Sequence, residues 1–152
     1  MTKVLTGTVL IRMVRAGLLG LDDAVEQWLP TPPGSGITLR NLADHTSGLP
    51  RLPPGLAGHD PYAAFDEDAL RAVLDRLEEI TVRRPGQEAE YSNLGYAVLG
   101  AALVSAAGRP YEELVREYVL TPVGVDEVTA HPPADRLLGA RSLCGSADSA
   151  GR

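Results

Sequence analysis

At 152 residues, with 44% hydrophobic and 22% charged content, the chain is long enough for one domain that buries a core. A net charge of −6 argues against nucleic acid as a partner, because no basic patch is present to neutralise phosphates, and no apolar run reaches the roughly eighteen residues that span a bilayer. The single Cys144 leaves no internal disulfide, and Met1 leads into helix pattern rather than a secretory signal; the location is unknown, the chain as given reading as cytoplasmic while an exported full-length parent stays open.

Residues 4–16 are rich in Val, Leu, Ile and Met, which predicts a helix buried on most sides, stopped by Gly17. Lys3, the only lysine, stands at its start. An ammonium is poorly placed at the positive end of a helix, and lysine, unlike arginine, can take part in proton transfer. Asp22 is a good N-cap for a short helix through Trp28, and Pro30, Pro32, Pro33, Gly34 and Gly36 then break the chain. Thr38 caps a second short helix through Asp44, followed by His45-Thr46-Ser47-Gly48-Leu49-Pro50 and a loop to Pro61.

From Asp66 the pattern is helical again, with Leu70, Val73, Leu74 and Leu77 on one face. After the Arg84-Pro85-Gly86 turn, Tyr91-Ser92-Asn93 stands at the mouth of an apolar helix from Leu94 to Ala107, closed by Gly108. Pro110 suits the first position of a last helix through Tyr118, ended by Thr121-Pro122-Val123-Gly124. Helices dominate, and neither a β-hairpin nor a βαβ unit is signalled. Neither a metal nor a cofactor is expected: His45, His59 and His131 lack ligand spacing, Asp44-His45 reads as a structural pair at a helix end, and there is no Gly-rich phosphate loop.

The ordered segments Thr2-Lys3, Leu21-Asp22-Asp23, Trp28-Leu29-Pro30, Ile37-Thr38-Leu39-Arg40, His45-Thr46-Ser47-Gly48-Leu49-Pro50, Tyr91-Ser92-Asn93-Leu94-Gly95-Tyr96 and Pro122-Val123-Gly124-Val125 resemble the serine β-lactamase-related family. That family includes class C β-lactamases, D-alanyl-D-alanine carboxypeptidases and related esterases. The resemblance implies acyl transfer through a serine ester. It makes Lys3 the lysine that lies one helical turn from the nucleophile, Tyr91 the tyrosine that relays a proton to the leaving group, and Asn93 the amide that binds the substrate's acyl side chain.

The resemblance also implies two losses. The nucleophilic serine is expected immediately before Met1, since no serine in the chain has a lysine three residues on; the family's Lys-Thr-Gly or His-x-Gly element has no counterpart either. The implied parent fold is α+β, an antiparallel sheet packed with a helical domain, of which this mainly α chain would hold the helical part with most of the sheet missing. Residues 1–138 are then a partial domain, and 139–152 a divergent tail that fits either a shifted reading frame or an ordinary disordered C-terminus. Two functions follow as expectations. One is a serine hydrolase acting on β-lactam, peptidoglycan-like peptidyl-D-alanine or ester substrates, inactive in this form; the other is a non-catalytic helical remnant or interaction module. Sheet-facing apolar surfaces left uncovered would favour self-association.

Overall fold

The stretch after Asn93 carries apolar or small residues on every side of a helix, so it has no polar face to turn to solvent and belongs at a centre. The computed structural model, which describes residues 2–54 and 66–125, places it there. Helices α1 (Thr2–Arg15), α2 (Leu39–Ala43), α3 (Glu67–Leu74), α4 (Leu77–Ile80), α5 (Asn93–Ala107) and α6 (Tyr111–Val115) follow in chain order. Helix α5 packs against α1, α2 and α6. Val9, Leu10 and Met13 of α1, Leu39 and Leu42 of α2, Leu94, Val98, Leu99 and Leu103 of α5, and Leu114 of α6 are all buried in one core. Burying a side chain of this size stabilises by about 1.5–3 kcal/mol. A second tie between α1 and α6 is polar: the Thr6 and Tyr111 hydroxyls, both buried, lie 2.6 Å apart.

The ends of these helices are set by local chemistry. Ser92 Oγ accepts from Gly95 N–H at 2.8 Å to open α5, and Gly108, in the left-handed region at φ 63°, closes it. Thr38 and Asn41 form a reciprocal capping box ahead of α2. Asp66 caps α3 through Ala69 N–H at 2.9 Å.

Four expectations need adjustment. The helix predicted from Asp22 to Trp28 is only a 3₁₀ turn, Val25–Gln27, because the backbone beside it is engaged elsewhere. Val25 N–H donates to Ile37 O at 3.0 Å and Leu39 N–H to Asp23 O at 3.1 Å, an antiparallel bridge that draws the chain out of helical dihedrals. The carboxylate of Asp22, rather than capping, grips Arg40 in a two-pronged pair at 2.7 and 2.9 Å. The apolar run from Asp66 breaks at Arg76, whose ψ of 23° leaves the helix, and α4 restarts with Leu77 and Ile80 both buried.

Pro110 is the N-cap rather than the first helical residue, and α6 widens into a π turn over Arg116–Leu120 and a 3₁₀ turn over Thr121–Val123. Finally, α1 is not buried on most sides: Val4 is 72% and Ile11 47% exposed. Among the described residues there is no strand beyond the isolated bridge, and no helix is long and apolar enough to cross a membrane. The expected tail from 139 onward, with Cys144, lies outside the described residues.

Candidate active site

Three segments meet at the N-terminal end of α5: the first turn of α1, the loop after α2, and the turn that leads into α5 itself. The α2 loop is fixed by backbone pairing with the segment before α5. Glu90 N–H donates to His45 O at 2.9 Å, Gly86 N–H to Thr46 O at 2.8 Å, and Val82 N–H to Gly48 O at 2.9 Å. Arg51 O then accepts from both Asn93 and Leu94 N–H at 3.0 and 3.3 Å, satisfying donors that the start of a helix leaves open. Ser92 completes the weld, its hydroxyl donating to Pro50 O at 2.8 Å.

Against this frame the three residues singled out from sequence come together. Lys3 Nζ donates to Asn93 Oδ1 at 2.6 Å, across 90 positions of chain. The same ammonium lies 5.0 Å from the centroid of the Tyr91 ring and 5.4 Å from that of Tyr96. A carboxamide oxygen and two negative ring faces thus offset the unfavourable start of helix α1. Tyr91, which considered alone could be a buried residue beside a helix cap, is 52% exposed.

Three neighbours join them. The His45 ring packs between Tyr91 and Tyr96, with centroids 4.8 and 4.9 Å away, and its Nδ1 accepts from Ser92 N–H at 3.2 Å. That bond requires a bare Nδ1 and so assigns the neutral, Nε2-protonated tautomer. Burial, with the Lys3 cation as a second cause, holds the imidazole below its ordinary value against the opposing pull of Asp44. Tyr96 donates its hydroxyl to Ala43 O at 2.8 Å, and burial foremost pushes its phenol up, so it serves as a fixed, protonated post. Arg51 flanks the other side, its guanidinium carbon 5.8 Å from the Tyr91 centroid.

His45 and Tyr96 lie inside motifs already singled out, but nothing in their spacing announced contact with Lys3; Arg51 carried no signal at all. Asp44 turns to the Thr46 backbone N–H and hydroxyl, at 3.0 and 2.6 Å, while His45 faces the site. Ser35 donates to Glu26, Ser47 is buried and caps Leu49 N–H, Ser92 is committed at both its lone pair and its proton, and Ser105 lies on the later turns of α5.

With this geometry stand the relationships of the chain. It belongs to the Beta-lactamase family, a family of serine hydrolases, whose model matches residues 1–144. Among its relatives is the D-alanyl-D-alanine-carboxypeptidase/endopeptidase AmpH of Escherichia coli, 34% identical over 142 residues that cover 90% of this chain and 37% of that protein. Penicillin-binding protein 4* of Bacillus subtilis is 28% identical over 86% of this chain and 29% of its own length. Of solved structures, a β-lactamase/D-alanine carboxypeptidase from Yersinia pestis superposes with a TM-score of 0.71 at 30% identity, over 90% of this chain and 42% of that one. An octameric penicillin-binding protein homologue from Pyrococcus abyssi does so with a TM-score of 0.70 at 28% identity, over 87% and 32%. The chain therefore spans well under half the length of these relatives, and shares their fold over the part it spans.

Proposed function

We propose that this chain carries the proton-handling and substrate-orienting wall of a serine hydrolase that acts on peptidyl-D-alanine, β-lactam or ester substrates through an acyl-enzyme. The supporting observation is the convergence of Lys3 Nζ on Asn93 Oδ1 at 2.6 Å beside the Tyr91 ring, at the end of a helix where a lone ammonium is otherwise out of place. The nucleophile belongs one turn of α1 ahead of Lys3, at the position immediately before Met1, on the same helix face.

The chemistry follows from these roles. As the serine oxygen bonds to the substrate carbonyl carbon, its proton passes to the Tyr91–Lys3 pair. Tyr91 takes that proton and exchanges it with Lys3, whose amine, unlike a guanidinium, can give a proton up and take it back. The carbonyl carbon then loses its amide nitrogen or ester oxygen, to which the pair returns the proton. Water repeats the sequence on the serine ester, releasing the acid. Asn93, with its Oδ1 held by Lys3, is the amide that meets the acyl side chain. The oxyanion-binding wall, carried in the family by the Lys-Thr-Gly or His-x-Gly element, lies outside these residues.

Covalent labelling tests the reading. A fluorescent penicillin or fluorophosphonate should leave the 152-residue chain unlabelled. It should modify a form that carries a serine before Met1 and continues through the missing element, with the adduct on that serine by intact-mass and peptide analysis. Labelling of the shorter chain, or of the longer form elsewhere, would sink the proposal. Absence of labelling in both would favour a non-catalytic interaction module.

A further inference from the structure

His45 belongs to a motif, His45-Thr46-Ser47-Gly48-Leu49-Pro50, that the acyl-transfer scheme leaves without a task. Its backbone sits in the left-handed region at φ 66°, alone among the described non-glycine residues, a conformation that costs free energy unless something fixes it. What fixes it is the site. Its carbonyl holds Glu90 N–H, its Nδ1 holds Ser92 N–H, and its ring fills the space between Tyr91 and Tyr96. Residues on both sides of Tyr91 are therefore bonded to a single side chain and its backbone.

We propose that neutral His45 is the positioning residue of the site, holding the Tyr91-Ser92-Asn93 turn so that the Tyr91 ring and the Asn93 amide both face Lys3. It rests on the acyl-transfer reading for the meaning of that geometry, though not for the geometry itself. Protonation of Nδ1 removes the acceptor for Ser92 N–H and places a second cation among groups already positive. The charged and titratable groups around His45 are Lys3 from α1, Asp44 from the end of its own helix, Tyr91 from the turn before α5, Tyr96 from α5, and Arg51 behind Tyr91. Of the charged groups only Asp44 favours the imidazolium, and it is already engaged by Thr46. The turn is thus held at neutral pH and released as pH falls through the lowered imidazole value.

The test is an NMR titration of the ¹⁵N-labelled 152-residue chain, following the His45 ring nitrogens, the Ser92 amide and the Tyr91 ring signals. All three should move with one midpoint, below the ordinary imidazole value of about 6.5. In His45→Ala the Ser92 amide should exchange about tenfold faster, the loss of one hydrogen bond. His45→Asn, whose carboxamide oxygen can replace Nδ1 and whose backbone tolerates positive φ, should restore most of that protection. Ser92 and Tyr91 signals that ignore the His45 titration overturn the proposal, as does equal protection in the Ala and Asn variants. Should His45→Ala fail to fold, the wild-type titration decides alone. If covalent labelling fails while Ser92 still tracks His45, the function falls and the positioning stands.

Discussion

Replacing Gly48 by alanine should cost far more stability than replacing Gly108, although both have left-handed backbones, φ 74° and 63°. A Cβ on Gly108 meets nothing within 4 Å, so Gly108→Ala isolates the backbone cost of the left-handed region, about 1–2 kcal/mol. On Gly48 the same Cβ would stand 2.1 Å from the carbonyl oxygen of Arg83, a backbone atom that cannot swing aside. Relief requires the loop after α2 to part from the segment before α5. That adds an overpacking cost of about 1–3 kcal/mol. Parting also breaks the 2.9 Å bond from Val82 N–H to Gly48 O, worth about 1 kcal/mol. Urea unfolding of the two variants should therefore differ by about 2–4 kcal/mol with unchanged m, a large share of a typical domain's stability. In Gly48→Ala the Tyr91 and Ser92 NMR signals should move as well, because His45 rides on the displaced loop. Equal destabilisation by the two substitutions would refute the claim that backbone contact at Gly48 holds the site together.

The buried Thr6–Tyr111 pair should behave as a coupled unit. Thr6→Val alone, leaving the Tyr111 hydroxyl buried without its partner, should cost about 1–3 kcal/mol, and the double variant with Tyr111→Phe should cost less than the sum of the two singles by thermal unfolding. On the outer side of α1, Val4 and Ile11 are exposed one above the other, two turns apart. Self-association of this chain should depend on them: Val4→Ser with Ile11→Ser should shift the sedimentation profile toward monomer, and an unchanged profile would clear that face of the role.

Much of the helical framework was legible because it rests on local rules. Thr38, Asp66 and Ser92 announced three helix starts and Gly108 an end, and the apolar run after Asn93 announced the helix between them. The failures share one cause. Between Asp22 and Trp28 a long-range bridge to Ile37 and Leu39 overrides a sound capping signal, and no local pattern records that competition. The burial predicted for α1 was too wide because apolar periodicity measures the width of a face, not whether anything covers it.

The candidate site was legible only through resemblance. Lys3, Tyr91 and Asn93 are separated by up to 90 positions, and nothing in composition or spacing brings an N-terminal ammonium to the mouth of α5. His45 and Arg51 escaped because their roles depend on a left-handed residue and on the one carbonyl, that of Arg51, that accepts from the first two N–H groups of α5. Two of the family-like segments are bonded to each other: Asp22 grips Arg40, and Leu21 O accepts from Arg40 N–H at 2.7 Å.

The central claim is that Lys3 works as a proton-transfer partner and not merely as a cation. Lys3→Arg separates the two, since arginine keeps the charge and the reach toward Asn93 but does not give up its proton. In the longer serine-bearing form, the second-order rate of acylation by a fluorescent penicillin should fall by about a hundredfold or more on this substitution, the scale of a lost general base. The Asn93 side-chain signals should stay near their original positions. Acylation at an undiminished rate in Lys3→Arg would contradict the account.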